Sequence, residues 1–160
     1  MMKNNEATVI ISVFGGREAP AEQLEQAEAL GRAIAEHGWI LVCGGRGGIM
    51  EAVSKGCDAA GGLSIGILPG EDRRNVNPHI RVPLATGIGL ARNALIARAG
   101  DAAVAVGGKY GTLSEIAYAL QFGKAVITLG SWDIPGTQAA VSVQETVRML
   151  EKAVSRGRRS

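Results

Sequence analysis

The chain has 160 residues, 46% hydrophobic and 20% charged, a balance that excludes a disordered segment and suffices to bury one sizeable core. Its net charge is only +2, and Arg156, Arg158 and Arg159 in a short basic tail (155–160) account for that excess, so the near-neutral body lacks the basic face of a nucleic-acid binder. Aromatic residues make up 4%, too few for a platform that stacks successive bases.

Apolar runs are short and interrupted by glycine, so no membrane span is expected. The opening MMKNNEATVIISVFGG lacks the apolar region and small-residue cleavage site of a signal peptide. Cys43 and Cys57 form neither a CxxC pair nor a metal-ligand spacing. Two thiols in a chain that needs no staples point to a reducing compartment, and the cytoplasm is the expected location. No cluster of His, Cys or carboxylates has zinc spacing, and no structural metal is expected.

In chain order, residues 8–14 (TVIISVF) are apolar and β-branched, read as a buried strand, and end at Gly15-Gly16. Apolar positions Leu24, Ala27, Leu30 and Ile34 recur at helical spacing over 21–37, and Gly38 stops that helix. Residues 39–43 (WILVC) form a second strand, followed by the turn Gly44-Gly45-Arg46-Gly47-Gly48 and a helix over about 49–60. A third strand, 63–68, is closed by Pro69-Gly70, and the polar stretch 71–78 is irregular. Residues 79–84 (HIRVPL) make a short strand that Pro83 confines to an edge or an end.

A helix over about 90–99 leads to the strand 102–106, the turn Gly107-Gly108-Lys109-Tyr110-Gly111-Thr112 and another helix that ends at Gly123. A further strand occupies 125–129, and a last one 137–141. Ser142 and Glu145 have capping-box spacing and open the final helix, to about Val154. Strands that are apolar throughout, alternating with helices, predict an α/β fold: one Rossmann-like, doubly wound parallel sheet with helices on both faces, in a single domain (1–160, core about 8–154). In such a sheet ligands lie outside the carboxyl ends of the strands, where the glycine turns after Phe14, Cys43 and Val106 fall.

Glycine-rich turns that open helices present free backbone N–H groups with the positive end of the helix dipole behind them. Two such turns on one rim point to a phosphate or diphosphate-like ligand held by Gly15, Gly16, Gly44, Gly45, Arg46, Gly47, Gly48, Met50, Gly107, Gly108, Lys109, Tyr110, Gly111 and Thr112. The spacing is not that of a P-loop, because Lys109 precedes Gly111-Thr112. A dinucleotide fingerprint is absent too: Met50 stands where the third glycine would be, and no acidic residue ends the third strand, so NAD is not expected. Arg92, in the first turn of its helix, opposes the dipole unless it meets an anion or a structural carboxylate. Glu115 follows Thr112 by three, which fits a capping box as well as a group facing a sugar or base at the same helix start. His37, at a helix C-terminus, is explained by the dipole, and His79 borders the irregular loop.

The order GGRGGIMEAVSKG, GILPG, ARNALIARAGDAAVAVGGKYGTLSE resembles the Lonely Guy-type superfamily, from Val9 to about Leu129. The resemblance implies one of two activities. Hydrolase members cleave the N-glycosidic bond of nucleoside 5′-monophosphates. Members of the molybdenum cofactor carrier-like branch bind a phosphorylated, metal-bearing pterin. The hydrolase motif reads PGGxGTxxE with an Arg-Lys pair nine and eight residues before an Asp, and Arg92, Asp101 and Glu115 fill those places. Asn93 replaces the Lys, Val106 the Pro, and Ser114 a common second Glu. The length and the ARN…VGGKYGTLSE pattern look more like the carrier branch. The resemblance therefore implies a carrier of molybdenum cofactor, with Arg92, Asn93 and Glu115 joining the glycine turns. Its alternatives are a phosphoribohydrolase acting on a nucleoside monophosphate through Arg92 and Glu115, and a nucleotide-sensing regulatory domain. It also implies a homo-oligomer, dimer or tetramer, with no nucleic-acid or membrane partner.

Overall fold

The computed structural model describes residues 7–157, and in it strand and helix alternate as the apolar pattern predicts. The elements are β1 (Ile10–Gly15), α1 (Ala21–Glu36), β2 (Ile40–Cys43), α2 (Ile49–Ala59), β3 (Ser64–Leu68), β4 (Val82–Ala85), α3 (Arg92–Ala99), β5 (Ala102–Val106), α4 (Tyr110–Gln121), β6 (Ala125–Leu129), β7 (Gln138–Ala140) and α5 (Val143–Gly157). The strands form one seven-stranded sheet in the order β4-β3-β2-β1-β5-β6-β7. Every neighbouring pair is parallel, so all carboxyl ends lie along one rim.

All five residues of β5 are buried, as expected of a central parallel strand covered on both sides. One face packs on α1, α2 and α5 through Leu30, Ile34, Ile49, Val53 and Leu150. The other packs on α3 and α4 through Phe14, Ile96, Ile116 and Ala119. Pro83 lies in edge strand β4, where a missing N–H leaves no gap in an interior ladder.

Local differences from the sequence reading sit at element ends. The helix expected over 90–99 begins with a 3-10 turn, Gly89–Ala91, before α3 proper. The last strand is shorter than expected, and α5 runs past Val154 to Gly157, so Arg156 is helical. Arg158 and Arg159 lie outside the described residues. Half of the Ser142 box forms: Glu145 N–H donates to Ser142 Oγ at 3.1 Å, but the Glu145 carboxylate accepts from Val141 N–H, at 2.8 Å, rather than from Ser142 N–H. His37 gains more than a dipole, because its ring contacts Ala33 O at 2.7 Å and Glu151 at 2.8 Å. Among the described residues no helix is long and apolar enough to cross a membrane.

α1 and α2 cross at two glycines. A Cβ on Gly31 would lie 1.9 Å from Val53 O, and one on Gly56 would lie 1.9 Å from Glu28 O. Backbone has no rotamer by which to yield, so this contact fixes the distance between the helices. Gly31→Ala is expected to destabilise the fold by about 2 kcal/mol or more, read as a lower urea midpoint at unchanged slope. The exposed change Gly123→Ala, where the cost is the positive φ of 73°, serves as the comparison.

Candidate ligand-binding site at the switch point of the sheet

From β1 the sheet grows one way to β2, β3 and β4, and from β5 the other way to β6 and β7. The carboxyl ends of β1 and β5 flank this switch point, where connecting loops part and leave a crevice. An open cavity of about 770 Å³ lies there. Its wall is made by the loop after β1, the turn after β5, the corner after β6 and the start of α3.

The turn after β5 is held in one conformation. Gly107 and Gly108 have φ of 54° and 91°, and a Cβ on Gly108 would overlap Thr112 Oγ1 at 2.1 Å. Gly107 N–H donates to Leu129 O at 3.2 Å, Ser131 Oγ donates to Gly107 O at 2.5 Å, and Trp132 Nε1 donates to Lys109 O at 3.1 Å. These bonds tie up the polar groups of Gly107 and the Lys109 carbonyl. α4 has no side-chain cap, and Leu113 N–H donates to Lys109 O at 3.0 Å. The amides ahead of Leu113 in the first turn therefore have no acceptor inside the helix, and they open beside the cavity with the dipole behind them.

Arg92 and Glu115 face one another across this space. Both are buried, 8% and 6% exposed. Arg92 Nη1 lies 4.0 Å from Glu115 Oε1, too long for a hydrogen bond, and instead donates to Asn93 Oδ1. Arg92 Nε is buried with no hydrogen-bond partner among the described residues. Burial pushes the Glu115 carboxyl up to about 8, with Arg92 opposing, and burial also lowers the Arg92 guanidinium against the pull of Glu115. For both groups desolvation outweighs their mutual attraction, as expected of an ion pair with imperfect geometry. Burial thus favours the neutral form of Glu115 and weakens its hold on the Arg92 guanidinium.

The other glycine turn has a different task. Ile49 N–H, first of α2, donates to Gly16 O at 3.0 Å, and a Cβ on Gly48 would lie 2.3 Å from that same oxygen. Asn77 clamps the turn from outside: its N–H donates to Gly45 O and its Nδ2 to Arg46 O, both at 2.9 Å. Gly44 leaves room for Met50 and Arg92, whose Sδ and Nη2 lie 2.6 and 3.0 Å from where a Cβ would stand.

Of the residues singled out in the sequence, Gly15, Gly16, Met50, Arg92 and Asn93 line the cavity, as do Gly107, Gly108, Lys109, Gly111, Thr112 and Glu115. Gly44, Gly45, Gly47 and Gly48 lie behind the wall, and Arg46 opens on a separate cleft of about 210 Å³ with Pro69 and Asp72. Tyr110 is 80% exposed and outside the wall. Glu115 is not a helix cap, because α4 begins two residues before Thr112 and the carboxylate turns inward to Arg92. His79 sits 3.9 Å from Asp58, away from the cavity. Among the wall residues the sequence reading missed are Arg17, Glu18, Gln23, Ser131 and Trp132. Their signal was positional, since they follow the carboxyl ends of β1 and β6 or open α1.

The chain matches the SLOG cluster4 family over residues 8–156. It belongs to that family. A protein of Archaeoglobus fulgidus with no assigned function is 44% identical over 119 residues, 74% of this chain and 78% of its own length. The molybdenum cofactor binding protein of Rippkaea orientalis superposes with a TM-score of 0.89 at 35% identity, covering 94% of this chain and 99% of that one. The molybdenum cofactor carrier protein of Chlamydomonas reinhardtii gives 0.87 at 34% identity, covering 93% and 99%. Within the Lonely Guy-type superfamily, this SLOG cluster4 chain falls in the carrier-like branch. Its β5 turn departs further from PGGxGTxxE than the sequence reading noted: Lys109 and Tyr110 both separate Gly108 from Gly111, where the hydrolase motif has one residue.

The Glu115 carboxyl gives a pH test. Folding raises it from 4.5 to about 8, so the folded state keeps a proton that the unfolded chain releases between those values. Stability is therefore expected to fall as pH rises through this window. Thermal unfolding from about pH 5 to pH 9 should show this slope in the wild type, and Glu115→Gln should flatten it.

Proposed function

We propose that this protein binds and carries the molybdenum cofactor, with the cofactor's phosphate at the α4 amides and Arg92. The observation that carries the reading is the buried Arg92 guanidinium, with an unpartnered Nε and a carboxylate no nearer than 4.0 Å, beside an uncapped helix start. A buried charge without a partner is costly, and an anionic ligand removes that cost. Lys109 and Arg17 line the same cavity and, with Glu18 partly offsetting them, add positive potential. The likeness to cofactor-binding proteins of similar length supports the same cargo. The glycine turns would then divide the work: residues 107–112 supply donors, while 44–48 brace the Gly16 loop and the floor under Arg92.

Equilibrium titration with isolated molybdenum cofactor is expected to saturate at one per cavity. Arg92→Ala should weaken binding about tenfold or more, the effect of losing a hydrogen bond to a charged group. Binding that fails to saturate, or is indifferent to Arg92, contradicts the assignment.

A second reading is favoured by one observation, that Arg92 and Glu115 share the cavity. In a phosphoribohydrolase they would orient the ribose of a nucleoside 5′-monophosphate and stabilise charge as the base leaves. The longer turn, Asn93 and Val106 speak for the carrier. The same titration with AMP, followed for free adenine, separates the two, because a carrier releases none. We further assign the protein to the cytoplasm as a homo-oligomer, a state supported by the exposed Leu90 and Tyr118 near α3 and on α4.

A further inference from the structure

Trp132 and Gln23 line the cavity, yet the anion site just described uses neither. Both border the corner after β6. Gln23 fills the space beneath two glycines: a Cβ on Gly107 would lie 2.2 Å from its Oε1, and one on Gly130 3.5 Å from its Nε2. Among the described residues no hydrogen bond ties the Gln23 amide, which leaves one acceptor and two donors for a ligand's edge. Trp132 packs against the apolar cluster of Phe14 and Ile116, and its Nε1 is anchored to Lys109 O. Tyr110, 6.2 Å away between ring centroids, flanks it. Among the described residues Trp132 is the one aromatic side chain in the wall of this cavity, and Tyr110 lies just outside it. A corner strap alone would account for the Nε1 bond but not for the indole's place in the cavity wall, where it shares the apolar lining with Pro20, Met50 and Leu90.

We propose that Trp132 stacks on, and Gln23 reads the edge of, a flat nitrogen heterocycle whose anionic arm reaches the α4 amides and Arg92. The ligand class is a heteroaromatic ring with an amide-like donor–acceptor edge and a phosphate on a flexible arm. This assignment rests on the anion-site reading above and adds the ring end to it. An indole locked by a hydrogen bond loses little entropy on stacking, and stacking tolerates different rings, so Trp132 supplies affinity while the Gln23 amide supplies preference.

The test uses a Trp39→Phe background, in which Trp132 is the sole indole, and three probes: isolated molybdenum cofactor, GMP and inorganic pyrophosphate. Both ring-bearing probes are expected to quench Trp132 emission as they saturate, and pyrophosphate is not. Trp132→Ala should weaken the ring-bearing probes about tenfold or more while leaving pyrophosphate within about twofold, and Trp132→Phe should recover most of the loss. Gln23→Ala should weaken the ring-bearing probes alone. Saturable binding of a ring-bearing probe without quenching overturns the proposal, as does an equal loss for pyrophosphate in Trp132→Ala. If GMP quenches and the cofactor does not bind, the ring site stands and the cargo assignment falls. If pyrophosphate alone binds, the ring site falls and the anion site stands.

Discussion

The Arg92–Glu115 pair is the constraint on which the rest of the site depends. At 4.0 Å, with both groups buried, it pays desolvation twice and recovers little of it through attraction. A fold selected for stability alone would close the pair or replace it with apolar side chains. Here burial pushes the carboxyl towards its neutral form, and the guanidinium is directed to Asn93 with its Nε unmatched. That arrangement leaves a buried guanidinium only partly matched within the protein, which is what the proposed anion site rests on. Buried groups with perturbed ionisation at a sheet switch point are where function is most often found.

The surroundings hold that arrangement in place. Three hydrogen bonds strap the corner after β6 to the turn after β5, so the α4 amides cannot relax onto neighbouring carbonyls. On the far side, α2 starts against Gly16 O and holds the β1 loop in place. Behind both stands the close α1–α2 crossing through Gly31 and Gly56, which sets where α2 begins. The chain from core to site is therefore short: helix spacing places α2, α2 places the loop, and the loop and strap frame the cavity. Cys43, buried with its thiol pushed up to about 12, belongs to this frame and carries no nucleophile.

Much of this was legible before any coordinates. Continuous apolar runs such as VIISVF and AAVAV announce buried parallel strands, and glycines after them mark the rim. Arg92 stood out because a cation at a helix start opposes the dipole. What sequence could not resolve was direction. Glu115 has the spacing of a cap, but spacing cannot say that Thr112 is the third residue of α4 and leaves no cap position for its hydroxyl. The two glycine turns look alike as strings, yet one offers its amides to the cavity and the other gives Ile49 N–H to Gly16. Gln23 and Trp132 lie far apart in sequence and reach one cavity wall only through the tertiary fold, which has no local signature.

The crystal structure of the protein with molybdenum cofactor bound tests the central claim most directly. The account predicts the cofactor's phosphate within about 3 Å of amides in the first turn of α4 and of the Arg92 guanidinium, the ordinary range for charge-assisted hydrogen bonds. A cofactor bound instead in the Arg46 cleft, with the α4 amides and Arg92 left unmatched, would contradict it.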